Sequence, residues 1–239
     1  MLYISFYKEV FILKRFSFKY LFWSLGFLAA FALWTAAVCF FDRRAIGPEG
    51  SKVGLAALNG FVSNAVGVNM ILYTITDWLG LVPIAFCAFF AVRGLCQLIS
   101  RKSLRRVDFS LLILGGFYIV VIACYLLFEE VVINYRPVLI EGVLEASYPS
   151  STTLLTLCVM STAIIQLFER IKPLHLKWCV ALLLGAFTLF MVIGRLLSGV
   201  HWFSDIVGGL LLSAGLVLCY LWVCKTAGAS PRPTIFSIL

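Results

Sequence analysis

Three short stretches hold residue types that could do chemistry together. Arg136 precedes Pro137, Tyr148-Pro149-Ser150-Ser151-Thr152-Thr153 joins a proline to a run of hydroxyls, and Arg195 is followed by His201 and Asp205 in an Arg-x5-His-x3-Asp pattern. An arginine presents a planar fork of donors suited to phosphate oxygens, so Arg136 and Arg195 can neutralise a dianion from two sides. Pro149 suits a first helical turn, where its missing N–H costs nothing. The backbone N–H groups of Ser150 to Thr153 are then free to hold an anion at the positive helix end. His201 and Asp205 stand at i and i+4, so the carboxylate can accept from one ring nitrogen and leave the other nucleophilic. The chemistry this predicts is attack by His201 on a phosphorus held by Arg136, Arg195, Ser150, Ser151 and Thr152.

Each part has a plainer reading on its own. Outer arginines snorkel to headgroups, Ser and Pro cap helices, and a histidine beside Trp202 anchors at an interface. Their order, and their predicted location on one side of a membrane, favour the site.

The elements that must position these residues follow from composition. Of 239 residues 62% are hydrophobic and only 13% charged, with a mean hydropathy of +1.04. A soluble domain carries about 25% charged residues, so this chain has lipid for its solvent. The net charge of +8 is not gathered on a polar module interleaved with aromatics, which argues against a nucleic-acid partner. The eight cysteines are scattered singly through apolar runs and read as small core residues. With two histidines, His175 and His201, no His/Cys metal cluster of ordinary spacing can be assembled, and no cofactor is expected.

Stretches free of Asp, Glu, Lys and Arg run from Tyr20 to Phe41, Phe109 to Phe128, Ala146 to Phe168, Trp178 to Gly194 and Ile206 to Cys224. Each meets or approaches the ~20 residues that cross a bilayer core. Met70 to Val92 is a further span, interrupted by Asp77 and bent at Pro83. The fold class is therefore all-α, a polytopic bundle of about six membrane helices in one integral domain, residues 1–239. The first run exceeds the roughly 7–15 apolar residues of a signal peptide and reads as a retained helix. Residues 1–19 form either an interfacial helix or a cytoplasmic extension of helix one. Val53 to Val68 reads as an interfacial helix, with Leu55, Leu58, Phe61, Val62, Ala65 and Val66 at helical spacing. The tail 225–239 has breaker composition and reads as loose.

With the N-terminus inside, Lys8, Lys14, Arg15, Lys19, Arg93, Arg101, Lys102, Arg105, Arg106, Arg170, Lys172, Lys177, Lys225 and Arg232 are cytoplasmic. Only Arg43, Arg44, Lys52, Arg136 and Arg195 are outside. The positive-inside rule then predicts both termini in the cytoplasm and all three reactive stretches on the outer face.

Those stretches resemble the type 2 phosphatidic acid phosphatase superfamily, whose motifs are K-x6-R-P, P-S-G-H and S-R-x5-H-x3-D. The resemblance covers residues 129–205, and the family is similar in having six membrane helices. It implies metal-independent phosphate transfer through a phosphohistidine. On that analogy His201 is the nucleophile, Asp205 orients it, and Arg136, Arg195 and Ser150 hold the phosphoryl oxygens. It also implies a membrane lipid as substrate and a plasma membrane, bacterial in kind.

The match departs from the family at three positions. Gly194 stands for the first serine of the third motif, Glu129 for the lysine, and Thr152 for the second-motif histidine, which the family uses as general acid. A general acid contributes about 10²–10⁴-fold when the leaving group is poor, whereas a phosphate leaving group does without one. The expected substrate is therefore a lipid diphosphate, such as a polyprenyl diphosphate. Alternatively Glu129, Glu130, Glu141 or Glu145, all in the second outer loop, supplies the proton. Glu129 could also welcome a cationic headgroup amine, which would make the protein a phospholipid headgroup phosphotransferase. From another class comes a degenerate protein that only binds or moves phospholipid. Retention of His201 with Asp205 speaks against it, because binding alone needs only the arginines.

Overall fold

The structure is a computed structural model that describes the backbone of residues 2–229 and the side chains of residues 18–229. Its helices in chain order are α1 (Leu2–Phe40), α2 (Ala56–Val66), α3 (Met70–Leu79), α4 (Leu81–Arg101), α5 (Phe109–Glu130), α6 (Ser151–Arg170), α7 (Leu174–Leu197) and α8 (Phe203–Thr226). A two-stranded antiparallel ribbon, β1 (Arg44–Ala45) with β2 (Lys52–Val53), links α1 to α2. Among the described residues there are six candidate membrane spans, with α3 and α4 together forming the span Met70–Arg101. The protein is an all-α multi-pass membrane protein, as its composition dictates.

Several boundaries differ from the sequence expectation. The first residues continue the α1 helix from Leu2, so the extension reading replaces the separate interfacial helix. The second span breaks at Gly80 rather than at Pro83. Pro83 lies in the first turn of α4, and its ring and missing N–H disturb the turn before it, which displaces the break toward the N-terminus. The span also runs on to Arg101, because a basic residue can end a membrane helix as well as interrupt one. α6 begins at Ser151, five residues after Ala146, because the preceding loop is held by other contacts described below. The tail beyond Ala229 lies outside the described residues.

α6 is the central helix, with half of its most apolar stretch buried. It packs on α7 and α8, while α1 lies along α8. Leu154, Cys158 and Ala163 of α6 meet Leu114, Phe117 and Val121 of α5 and Leu212, Leu216 and Tyr220 of α8. Helices in lipid gain little from hiding apolar surface from one another, so close approach and internal hydrogen bonds decide the packing. Gly215 illustrates the first, since a Cβ there would lie 2.7 Å from Leu28 Cδ2 of α1. Beside it Ser24 Oγ donates to the Gly215 carbonyl at 2.8 Å, and deeper in the bundle Gln166 Nε2 donates to Tyr220 Oη at 2.6 Å. The outward faces remain apolar, for example at Ile119, Leu182 and Leu183.

α2 is fastened to the start of α8 as well as being amphipathic. Buried Asn59 donates to Ser204 Oγ at 2.9 Å and accepts from the Ser204 N–H at 3.0 Å, while Leu58 and Phe61 face outward.

Candidate active site

The loops between α5 and α6 and between α7 and α8 meet at one end of the bundle. The first is a hairpin. Tyr135 bridges Ala146, Arg136 N–H donates to the Glu145 carbonyl at 3.0 Å, and Ser147 N–H donates to the Asn134 carbonyl at 2.9 Å. Glu141 and Gly142, both at positive φ, close its tip between Ile140 and Val143. The ladder therefore carries Arg136 and Ser147 to the bundle together and holds Glu141 away.

Tyr148 anchors the end of this hairpin. Its ring is buried between Phe31 and Phe128, its hydroxyl lies 2.7 Å from Thr35 Oγ1, and Gly208 leaves room for it on α8. Pro149 then precedes the N-cap of α6 rather than occupying its first turn, and Ser150 is the cap. Ser150 N–H donates to the Asp205 carbonyl at 3.0 Å, and Ser150 Oγ accepts from the Thr153 N–H. Of the four N–H groups expected to be free, only those of Ser151 and Thr152 retain the unpaired geometry of a helix start.

The second loop is shaped by Gly199, at φ +68°, where a Cβ would fall 1.9 Å from the Gly67 carbonyl oxygen. Asn69 N–H donates to the Ser198 carbonyl at 2.9 Å, which ties the start of α3 to the same loop. His201 precedes α8, and Asp205 sits in its first turn, accepting the Trp202 N–H at 2.9 Å. Trp202 Nε1 in turn donates to the Tyr135 carbonyl at 2.6 Å, locking the two loops together.

The direct contact expected between His201 and Asp205 is replaced by a relay. His201 Nδ1 and Asp205 Oδ2 are 3.8 Å apart, and Ser147 Oγ stands between them, 3.1 Å from Nδ1 and donating to Oδ2. Because Ser147 gives its proton to the carboxylate, Nδ1 must donate to Ser147, and Nε2 carries the free lone pair. Asp205 also accepts from Ser204 Oγ at 3.2 Å, and Ser204 is held by Asn59 and Asn134. Burial, followed by the positive charges of Arg136 and Arg195, holds the His201 imidazole well below its ordinary pKa of 6.5. At physiological pH the ring is neutral, with the lone pair of Nε2 free.

Arg136 and Arg195 converge on the ring of Tyr73, with guanidinium carbons 6.0 and 4.8 Å from its centroid. Each has a carboxylate partner. Arg136 Nε lies 3.0 Å from Glu145 Oε2, and Arg195 Nη1 lies 3.6 Å from Asp77 Oδ1 and 3.5 Å from Thr76 Oγ1. Arg136 Nη1, Arg195 Nε and His201 Nε2 are buried, and none has a hydrogen-bond partner among the described residues. Buried nitrogens of this kind are costly unless something accepts from or bonds to them, and a phosphoryl group meets all three.

Between α3, α4, α5 and α6 runs a cavity of about 510 Å³, lined by Leu81, Ile84, Val121, Ile122 and Leu155 and reaching Asp77, Ser151 and Thr152. Glu129 lines a separate small cleft with Ser147 and Tyr148, and Glu130 is exposed. His175 stands exposed in the first turn of α7, at the far end of the bundle.

The structure thus gathers Arg136, Arg195, His201, Asp205 and the start of α6, and leaves Glu141 outside. Sequence reasoning missed Ser147, Tyr73, Asn59 and the pairing of Asp77 with Arg195. Ser147 lay only one residue ahead of the recognised Tyr148-Pro149 stretch, which is the signal that could have found it.

A model of the PAP2 superfamily matches residues 84–228. Among solved structures, the crystal structure of the first transmembrane PAP2 type phosphatidylglycerolphosphate phosphatase from Bacillus subtilis is similar, with a TM-score of 0.52 and 19% sequence identity. The similarity covers 86% of this chain and 96% of that one. No curated protein sequence matches.

Proposed function

The chain belongs to the PAP2 superfamily and is a membrane lipid phosphatase of that kind, and from this premise we propose that it hydrolyses a lipid phosphate or diphosphate through a phosphohistidine. The observation that carries the reading is the buried His201 Nε2, unpartnered, with Nδ1 oriented through Ser147 and Asp205 and two arginines alongside.

In the proposed reaction Nε2 attacks phosphorus, forming the N–P bond as the bond from phosphorus to the lipid-side oxygen breaks. The electron pair leaves on that oxygen. Arg136, Arg195 and the N–H groups of Ser151 and Thr152 stabilise the charge on the phosphoryl oxygens. Water then displaces His201 and releases inorganic phosphate. The imidazolium formed in the first step is supported by Asp205 through Ser147.

The favoured substrate is a polyprenyl diphosphate, cleaved at the outer membrane face. Support for the diphosphate comes from Thr152, which cannot protonate a poor leaving group, whereas a lipid monophosphate leaves as a stable anion. Support for a lipid comes from the cavity beside Ser151 and Thr152, whose apolar walls suit a hydrocarbon chain. Support for the outer face comes from the basic residues, which gather in the loops at the end opposite His201.

The test is phosphate release by detergent-purified protein without added metal. Farnesyl diphosphate, farnesyl monophosphate and phosphatidic acid are each offered to the native protein and to His201→Ala. Release should be fastest from the diphosphate and vanish in the variant. Turnover that survives His201→Ala would overturn the nucleophile assignment, and equal rates on monophosphates and diphosphate would overturn the substrate preference.

A further inference from the structure

The phosphohistidine reading leaves the second half-reaction without a base. Water that hydrolyses a phosphohistidine must approach phosphorus roughly in line with the departing nitrogen, on the face that the leaving group has vacated. That face can be located. His201 does not line the large cavity, whereas Ser151 and Thr152, at the anion-holding helix start, do. A substrate with its phosphorus at Nε2 and its chain in the cavity therefore has its leaving oxygen at the cavity rim.

One residue belongs to both places. Asp77 is the one carboxylate among the described residues lining the cavity, and its Oδ1 lies 3.6 Å from Arg195 Nη1. Its carboxyl oxygens are acceptors placed between the cavity and Arg195. Its side chain is 58% exposed, while its partner Arg195 is 2% exposed and fixed in the bundle.

The closeness of α3 to α7 here depends on a residue that departs from the family pattern. A Cβ at Gly194 would lie 2.8 Å from Thr76 Cγ2, so a serine at that position would press on α3 just beside Asp77. The glycine leaves room for Thr76 and Asp77 to reach Arg195. The carboxylate thus approaches the site from α3 and lines the same cavity as Thr152, which stands where the family's histidine is missing.

Resting on the phosphohistidine reading, we propose that Asp77 is the general base of the second step. Its carboxylate takes a proton from the attacking water as the oxygen–phosphorus bond forms. The N–P bond breaks, its electron pair returns to His201 Nε2, and inorganic phosphate leaves. The proton on Asp77 then passes to solvent, restoring the ion pair with Arg195.

The experiment is rapid-quench labelling with farnesyl diphosphate carrying ³²P in the terminal phosphate, on the native protein, Asp77→Asn, Asp77→Glu and His201→Ala. Asp77→Asn should keep a burst of acid-labile, alkali-stable label approaching one phosphate per chain, while steady-state phosphate release falls about 10²–10⁴-fold. Asp77→Glu should restore part of the release and shorten the life of the labelled protein. If Asp77 only positions Arg195, Asp77→Asn will slow the burst as much as the turnover, and no label will accumulate. That result, or unchanged turnover, overturns the inference while leaving His201 in place. Absence of His201-dependent label in every one of the proteins overturns the underlying reading instead.

Discussion

Ser147 Oγ stands between His201 and Asp205, 3.1 Å from Nδ1 of the one and donating to Oδ2 of the other, although the two residues it joins are themselves one helical turn apart in sequence. The hydroxyl converts a 3.8 Å separation, too long for a hydrogen bond, into a continuous chain from carboxylate to imidazole. Ser147→Ala should lower kcat by about 10–100-fold with little change in KM, the usual effect of removing an orienting partner. Asp205→Ala should cost more, because it removes both the relay's acceptor and the cap on Trp202 N–H. Steady-state kinetics of both variants on farnesyl diphosphate would check this.

The depressed pKa of His201 has a measurable sign. Its folded pKa lies below the unfolded value of 6.5, so the group adds nothing to the pH dependence of stability above that value. As pH falls through 6.5 the unfolded chain binds a proton that the folded one does not, and stability drops by up to about 1.4 kcal/mol per pH unit until the folded pKa is reached. Thermal melts in detergent from pH 7.5 to 5 should show a steeper loss for the native protein than for His201→Gln. In a His175→Gln background, the single imidazole seen by NMR should remain neutral at pH 6.5. Arg136→Met should move its titration upward by removing a neighbouring positive charge.

The carboxylates around the site are not equivalent. Glu145 Oε2 lies 3.0 Å from Arg136 Nε and competes with phosphate for it, whereas Glu141 closes the hairpin tip. Glu145→Gln should therefore lower KM several-fold for a phosphate substrate, and Glu141→Gln should leave kcat and KM unchanged. An increase in KM for Glu145→Gln would show that the ion pair positions Arg136 more than it competes.

Gly208 and Gly194 make a packing prediction. A Cβ at Gly208 would lie 2.7 Å from the Tyr148 ring, and one at Gly194 would lie 2.8 Å from Thr76. Gly208→Ala should destabilise the protein by about 1–3 kcal/mol as an overpacked core does, and should lower activity because Tyr148 anchors Ser147. Gly194→Ser should weaken the contact between α3 and Arg195 at a smaller cost in melting temperature. Thermal melts set beside single-turnover rates would separate the two effects.

The membrane spans and the reactive residue types were legible from the chain alone because both are local properties. A run of about 20 apolar residues needs no partner to be read as a span. Arg136, Arg195, His201 and Asp205 announce phosphate chemistry through side-chain type and order, and the departures at Glu129, Thr152 and Gly194 are equally plain in the sequence. The relay and the pairing of Asp77 are not local. Ser147 is 54 residues from His201 and Thr76 is 119 from Arg195, so their contacts depend on which helices pack and how closely. Sequence determined that residue types able to hold and attack a phosphate are present, since such chemistry is intrinsic to arginine and histidine side chains. Only the packing of a hairpin against α8, and of α3 against α7 at Gly194, decided which hydroxyl orients the histidine and which carboxylate faces the cavity. Those distances are set by the close approach of backbones, which no single segment specifies.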